Sequence, residues 1–217
     1  MPMLLDLQTH FLQVKAISES DNFNNYSLDQ IQLLSKHSLM MMDYYLFSID
    51  YLQTELPLTT VSAAAVALDV AENLRRLARA YDVCLDLDIT QKLEPVYANE
   101  SALKGILYGL ASSLIIERQE SKKVRVVIAA QETAPNIQRL GVYSPDVNMS
   151  PTSIKQSRIL AGQARAAAPL EISSSGLGLM LSDQLTHALG SKIMRFTHRG
   201  QKGVGFYVPM SSQLSFL

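Results

Sequence analysis

Residues 173–181 read SSSGLGLML, and residues 203–209, near the end of the chain, read GVGFYVP. The first stretch is a polar loop that leads through Gly176 and Gly178 into an apolar helix. Because the first N–H groups of a helix have no partner within the helix, a glycine-containing loop at this place is typical of a phosphate-binding site. The sequence therefore predicts a loop, a helix and a final strand arranged around an anion site.

The composition is that of a globular domain. The 217 residues are 47% hydrophobic, contain 10 Gly and 8 Pro, and carry a net charge of -1. This length is enough for one substantial core plus a smaller element. The basic residues are scattered, and Arg75, Arg76 and Arg79 are interpreted as a solvated helix face. No nucleic-acid partner is therefore expected.

Cysteine content and the length of apolar runs exclude disulfide-bonded, zinc-binding and membrane-spanning classes of protein. The single Cys84 can form neither an intrachain disulfide nor a cysteine-based zinc site, and no signal peptide is recognised. The longest mainly apolar run, residues 56–68, contains Pro57 and three hydroxyl side chains and is well short of the roughly 20 residues that a membrane span needs. We therefore expect a cytoplasmic protein without a membrane segment or a metal site.

The N-terminal quarter predicts a helical hairpin. Apolar residues recur at three- and four-residue steps over residues 4–17 and again over residues 28–56, with turn formers at 19–25. Ser27 and Gln30 have capping-box spacing at the start of the second helix. The second helix carries more apolar surface than two helices can bury, so we expect two copies to form a dimeric four-helix bundle.

After Pro57, helices alternate with strands. Helices are predicted at 61–81, 101–117 and 178–189, and strands at 83–89, 96–97, 124–130, 138–143, 193–197 and 204–208. The chain is thus predicted to be α+β. Its N-terminal helical hairpin is residues 1–57, and a two-layer α/β sandwich follows as residues 58–217.

This order of elements resembles the histidine-kinase core, in which a dimerising helical hairpin precedes an ATP-binding sandwich of the Bergerat (GHKL) type. The resemblance extends from about residue 4 to Met210 and is strongest from Ser173 onward. Gly176 and Gly178 match the family's phosphate-loop glycines. The resemblance implies ATP and magnesium as the ligands of an active member.

Two other motifs of the family are altered in this chain. Gly109 and Ser113 stand where the family has asparagines, one of which orients the magnesium ion. The aspartate that reads adenine corresponds to Ser144 in one register and to Asp146 in the other, and neither register keeps the glycines that follow. The alternative interpretation of each motif, including the glycine pair above, is structural. Gly109 and Ser113 would be small residues for close helix-to-sheet packing, the stretch with Ser144 and Asp146 would be a surface turn, and Gly176 and Gly178 would fix the loop-to-helix geometry.

His10 is the candidate phosphoacceptor. The resemblance implies a histidine on the first helix that is followed by an acidic base, but here Phe11 follows His10. Without a carboxylate the imidazole has no obvious partner to orient it, and the alternative is an exposed or interfacial helix residue. His37 is a weaker candidate, and His187 and His198 are interpreted as structural.

The resemblance and these departures predict a degenerate histidine-kinase-like signalling protein. It is expected to be a dimeric interaction module, a pseudokinase of a two-component pathway that binds a response-regulator receiver domain or a partner kinase. No cofactor is expected, and ATP and magnesium would bind only if the site is not vestigial. The first alternative is a histidine phosphotransferase that relays phosphoryl groups between receiver domains through His10. The second is a divergent ATP-dependent histidine kinase.

Overall fold

A computed structural model describes residues 12, 14–15, 18, 25–51, 55–89, 92–116, 124–145 and 175–211. The named elements of this part are α1 (Asn25–Asp50), β1 (Thr59–Val61), α2 (Ala63–Ala80), β2 (Val83–Ile89), β3 (Val96–Ala98), α3 (Glu100–Ile116), β4 (Val124–Ala134), β5 (Ile137–Ser144), α4 (Ser175–Ala188), β6 (Met194–His198) and β7 (Gln201–Pro209). Leu12, Val14, Lys15 and Ser18, which belong to the predicted first helix, are also helical. His10 and Asp146 lie outside the described residues.

Five strands form one mixed sheet in the order β2-β4-β5-β7-β6. β2 runs parallel to β4, and the other neighbours are antiparallel. The β6–β7 hairpin turns at Arg199 and Gly200, which both have positive φ angles, so β7 begins at Gln201, earlier than the sequence predicted. β1 and β3 form a separate antiparallel pair, in which β1 is a strand that the sequence did not predict.

The three helices of the sandwich cover one face of the sheet. Along β4 the side chains of Val126, Ile128 and Ala130 are fully buried and belong to the core shared with the helices. α2 begins at Ser62, whose side chain accepts a hydrogen bond from the N–H of Ala65, and buries one apolar side. This arrangement confirms the two-layer α/β sandwich that was predicted.

α1 packs on the helical layer of the sandwich, where it contacts α2, α3 and α4. Leu34 and Met41 are buried, and Met41 belongs to the core cluster that this layer forms. The sequence assigned the apolar excess of this helix to a second copy, but the sandwich covers part of it, because an amphipathic pattern specifies a buried side and not its partner. The division at residue 57 stays a prediction, although Met41 and Leu56 belong to the same buried cluster as the sandwich.

In the part of the chain that the structure describes, no helix combines the length and the apolar character needed to cross a bilayer. Arg75, Arg76 and Arg79 are exposed on α2, as the sequence predicted.

Candidate functional site

Small residues at four-residue spacing bring α3 and α4 into backbone contact. Gly105, Gly109 and Ser113 follow one another at this spacing on α3, and Gly178 and Ser182 do so on α4. A Cβ atom at Gly109 would lie 2.6 Å from the carbonyl oxygen of Gly178 and 2.5 Å from Ser182 Oγ. Such distances are too short for real contacts, so only glycine permits the two helices to approach this closely.

Two serine hydroxyls complete this crossing. Ser113 Oγ donates to the carbonyl of Gly109 at 2.8 Å. Ser182 Oγ lies 2.9 Å from the carbonyl oxygen of Ile106 and 2.7 Å from that of Gly178. Ser113 is only 1% exposed. The hydroxyl of Ser113 is therefore bonded to the backbone of its own helix inside a packed interface.

The structure brings together two of the five predicted nucleotide-site residues. Ser113 and Gly178 are in direct contact across the crossing. Ser144 is buried at the end of β5, where it pairs with β7, and Gly176 lies in the first turn of α4. Asp146 lies outside the described residues. That these five residues form a vestigial ATP site stays a prediction.

Close packing, the alternative interpretation of Gly109 and Ser113, describes what both residues do in this structure. The sequence predicted packing of these residues on the sheet, but their partner in the structure is helix α4. Sequence reasoning missed Ser182 and Gly105, which extend the contact along both helices. The signal that identifies them is the repetition of small residues every four positions, since such residues form one stripe along a helix.

Two of the three described histidines are buried and hydrogen-bonded. His37 is 4% exposed, and its Nδ1 atom lies 2.8 Å from the hydroxyl oxygen of Tyr108. His198 is 8% exposed, and its Nε2 atom lies 2.7 Å from Asp88 Oδ2. His187 is exposed in the last turn of α4. A phosphoryl donor can therefore reach neither His37 nor His198 unless the structure around it opens.

The cluster around His198 joins the two edge strands of the sheet. Arg199 donates from Nε and Nη2 to the two carboxylate oxygens of Asp88, at 2.8 and 2.9 Å. Asp88 lies on one edge strand and His198 on the other, so the sheet curls to bring them together. The ring of Tyr143 lies against that of His198, with centroids 5.0 Å apart, and burial raises the pKa of Tyr143.

The cluster does not suggest a metal centre, because His198 and Asp88 are its only metal-ligating groups among the described residues. Across all the residues that the structure describes, no group of three or more His, Cys, Asp or Glu side chains is placed to hold a metal ion. Sequence reasoning missed Asp88, because the contact with His198 joins residues 110 positions apart.

Comparison with known proteins supports the fold alone. No protein-family model and no curated protein matches the chain. Full-length ShkA in complex with AMPPNP is 18% identical and superimposes on 88% of this chain, with a TM-score of 0.60. The Acinetobacter baumannii histidine kinase AdeS is 16% identical, and the match, with a TM-score of 0.57, covers 95% of this chain and 97% of that one.

The catalytic domain of the histidine kinase ThkA is 14% identical and matches 71% of this chain and 98% of its own, with a TM-score of 0.52. This chain spans 40% of the length of the ShkA chain. At these identities the likeness establishes architecture and not activity. The chain thus has the fold of the histidine-kinase catalytic core, as the resemblance in its sequence predicted.

Proposed function

We propose that this chain is a degenerate histidine-kinase-like signalling protein. In this role it is a dimeric interaction module of a two-component pathway, with impaired or absent ATP binding. Its partner is a response-regulator receiver domain or a kinase. The proposal combines the fold, the altered nucleotide motifs and the exposed apolar surface of α1.

The observation that carries the loss of nucleotide chemistry is the position of Ser113. An active site of this family needs an amide oxygen at this point to orient magnesium. Ser113 instead donates to the carbonyl of Gly109 and packs against Gly178. A hydroxyl is a poorer magnesium ligand than an amide, and this one already has a partner in the helix.

The exposed side of α1 supports a homodimer. Four large apolar residues on this helix are 43–59% exposed: Leu28, Leu39, Leu46 and Ile49. They are 11, 7 and 3 positions apart, so at about 3.6 residues per turn they lie in one stripe on one side of the helix, as the residues of a helix–helix seam do. Since the sandwich covers the other side of α1, a bundle formed through this stripe leaves both sandwiches on the outside.

The proposed role is tested with receiver domains whose phosphoryl group is radiolabelled. The chain is incubated with these domains, and the two proteins are then separated under conditions that preserve phosphohistidine. The proposal expects a complex with the receiver but no label on this chain. Label that moves to the chain would overturn the degenerate module in favour of a phosphotransferase.

A histidine phosphotransferase is the second candidate. Because His37 and His198 are buried, they are excluded as its phosphoacceptor, which leaves His10 and His187. In that case His10→Ala abolishes acid-labile labelling and leaves dimerisation intact. His187→Ala is the matched control, since His187 is exposed and lies on the sandwich. Label that is lost in His187→Ala and kept in His10→Ala would assign the acceptor to His187.

A further inference from the structure

We infer that α1 is fixed to the sandwich and opens together with it as one cooperative unit, and that the buried pair His37–Tyr108 is the latch that sets its position. This inference goes beyond the proposed function, because it concerns how the hairpin and the sandwich are joined and not what either of them binds. It also holds whether or not the chain forms a dimer.

The latch joins residues that are 71 positions apart. His37 lies on α1 and Tyr108 on α3, both are almost fully buried, and Nδ1 and the hydroxyl oxygen are 2.8 Å apart. The two rings also stack, with centroids 5.6 Å apart and planes 29° apart. A buried polar pair of this kind is directional, and breaking it leaves unsatisfied groups in an apolar layer.

A second contact lies about two turns further along α1. The ring of Tyr44 lies 5.7 Å from that of Tyr108 and covers Gly105 of α3. A Cβ atom at Gly105 would lie 3.0 Å from Tyr44 Cδ1 and 2.6 Å from Leu185 Cδ1 on α4. Three helices therefore meet at this glycine, where a side chain of α1 packs into the contact between α3 and α4.

A third contact extends the attachment towards the end of α1. Ser48 Oγ lies 2.7 Å from the carbonyl oxygen of Tyr45 on its own helix and 3.3 Å from Gln184 Oε1 of α4. Beyond this helix, Leu56 is buried in the same cluster as Met41 and the sandwich residues. A hinge would present polar, solvated surfaces at these places. Apolar burial on α1 and at Leu56 instead favours joint opening.

Native-state hydrogen exchange on the full chain tests the inference. Exchange is measured on the Leu39→Glu variant, whose substitution lies on the exposed stripe of α1, so that contacts with a second copy do not protect this helix. We expect the core amides of α1 to be protected to within about tenfold of those of β4 and β5, because both exchange through the same opening. Faster exchange of α1 than this would overturn the inference.

The latch is tested by Tyr108→Phe, with the exposed Tyr97→Phe as the matched control. Loss of the hydroxyl should lower the protection of α1 and of the sheet by similar factors, because both exchange through the same opening, and His37→Asn, which keeps a hydrogen-bonding atom, should lower it less than His37→Leu. A loss confined to α1 would overturn joint opening, and no change in either element would overturn the role of the pair. Neither result depends on nucleotide or on a receiver domain.

Discussion

Gly178 of α4 lies directly against the hydroxyl of Ser113 on α3, with no room between them for a Cβ atom. The resemblance placed both residues in a nucleotide site, one as a phosphate-loop glycine and the other at a magnesium-orienting position. In the structure they meet as the contact surfaces of two crossing helices. This relationship makes the packing role of the two residues testable without any nucleotide.

Gly178→Ala should lower the free energy of unfolding by about 1–3 kcal/mol, because the added methyl group meets the backbone of Gly109 as well as Ser113. Gly105→Ala is the matched comparison, since the atoms nearest to its new methyl group belong to the side chains of Leu185 and Tyr44 and not to the backbone. There the helix propensity gained from alanine, about 1 kcal/mol, offsets part of the cost. Chemical denaturation without nucleotide measures both variants.

A Gly178→Ala variant at least as stable as the unmodified chain would contradict the packing role. Ser113→Ala in the Gly178→Ala background provides a further check. It should recover only part of the loss, because the carbonyl of Gly109 remains in the way.

Most of the fold could be predicted, because each long element carries its own periodicity. The strand at Val83–Ile89 alternates, and the helices at Ala63–Ala80 and Glu100–Ile116 repeat at three and four residues. β1 was missed because three residues carry no periodic signal. A segment this short forms a strand only because a neighbouring strand, here β3, pairs with it.

The candidate site could be predicted only as positions, and not as contacts. The motif comparison identified Ser113 and Gly178, but that they touch depends on how α3 and α4 cross. The pair Asp88–His198 was missed because it arises from the curl of the whole sheet. The partner of Met41 was assigned to a second copy because hydrophobic periodicity cannot distinguish a dimer interface from an intramolecular one.

Leu39→Glu should weaken dimerisation by at least about tenfold, since a charge on the apolar stripe must be desolvated in the seam. Lys36→Glu is the matched control, because Lys36 is exposed on α1 outside the stripe. Light scattering across a concentration series measures the association. A wild-type monomer at micromolar concentration, or equal effects of the two variants, would contradict the dimer. Met41→Glu is unsuitable, because Met41 packs in the core.

The buried tyrosines should make the fold unstable at alkaline pH. Burial raises the pKa of Tyr108, and of Tyr44 as well, above the ordinary value of 10.0. Above about pH 10 the unfolded tyrosine loses its proton while the folded one keeps it, so the unfolded state binds fewer protons. The free energy of unfolding should therefore fall as pH rises through this range, by up to about 1.4 kcal/mol per pH unit for each such tyrosine.

Tyr108→Phe isolates one of these contributions. Its free energy of unfolding should fall less steeply than that of the unmodified chain between about pH 10 and 11. Tyr97→Phe, at an exposed position, should retain the steeper dependence. Identical slopes for all three proteins would contradict the assignment to Tyr108.

Titration calorimetry with ATP and magnesium tests most directly whether nucleotide binding has been lost. Each charge-assisted hydrogen bond is worth roughly 1.5–3 kcal/mol. The loss of two, those of the adenine-reading aspartate and the magnesium-orienting asparagine, should therefore weaken a micromolar site by about a hundredfold or more. We expect no saturable heat at submillimolar nucleotide. A dissociation constant in the low micromolar range that is lost in Gly176→Val would contradict the degenerate site and restore the ATP-dependent kinase. Gly176 is the appropriate position for this control, because a substitution at Gly178 would disturb the packing of α3 and α4.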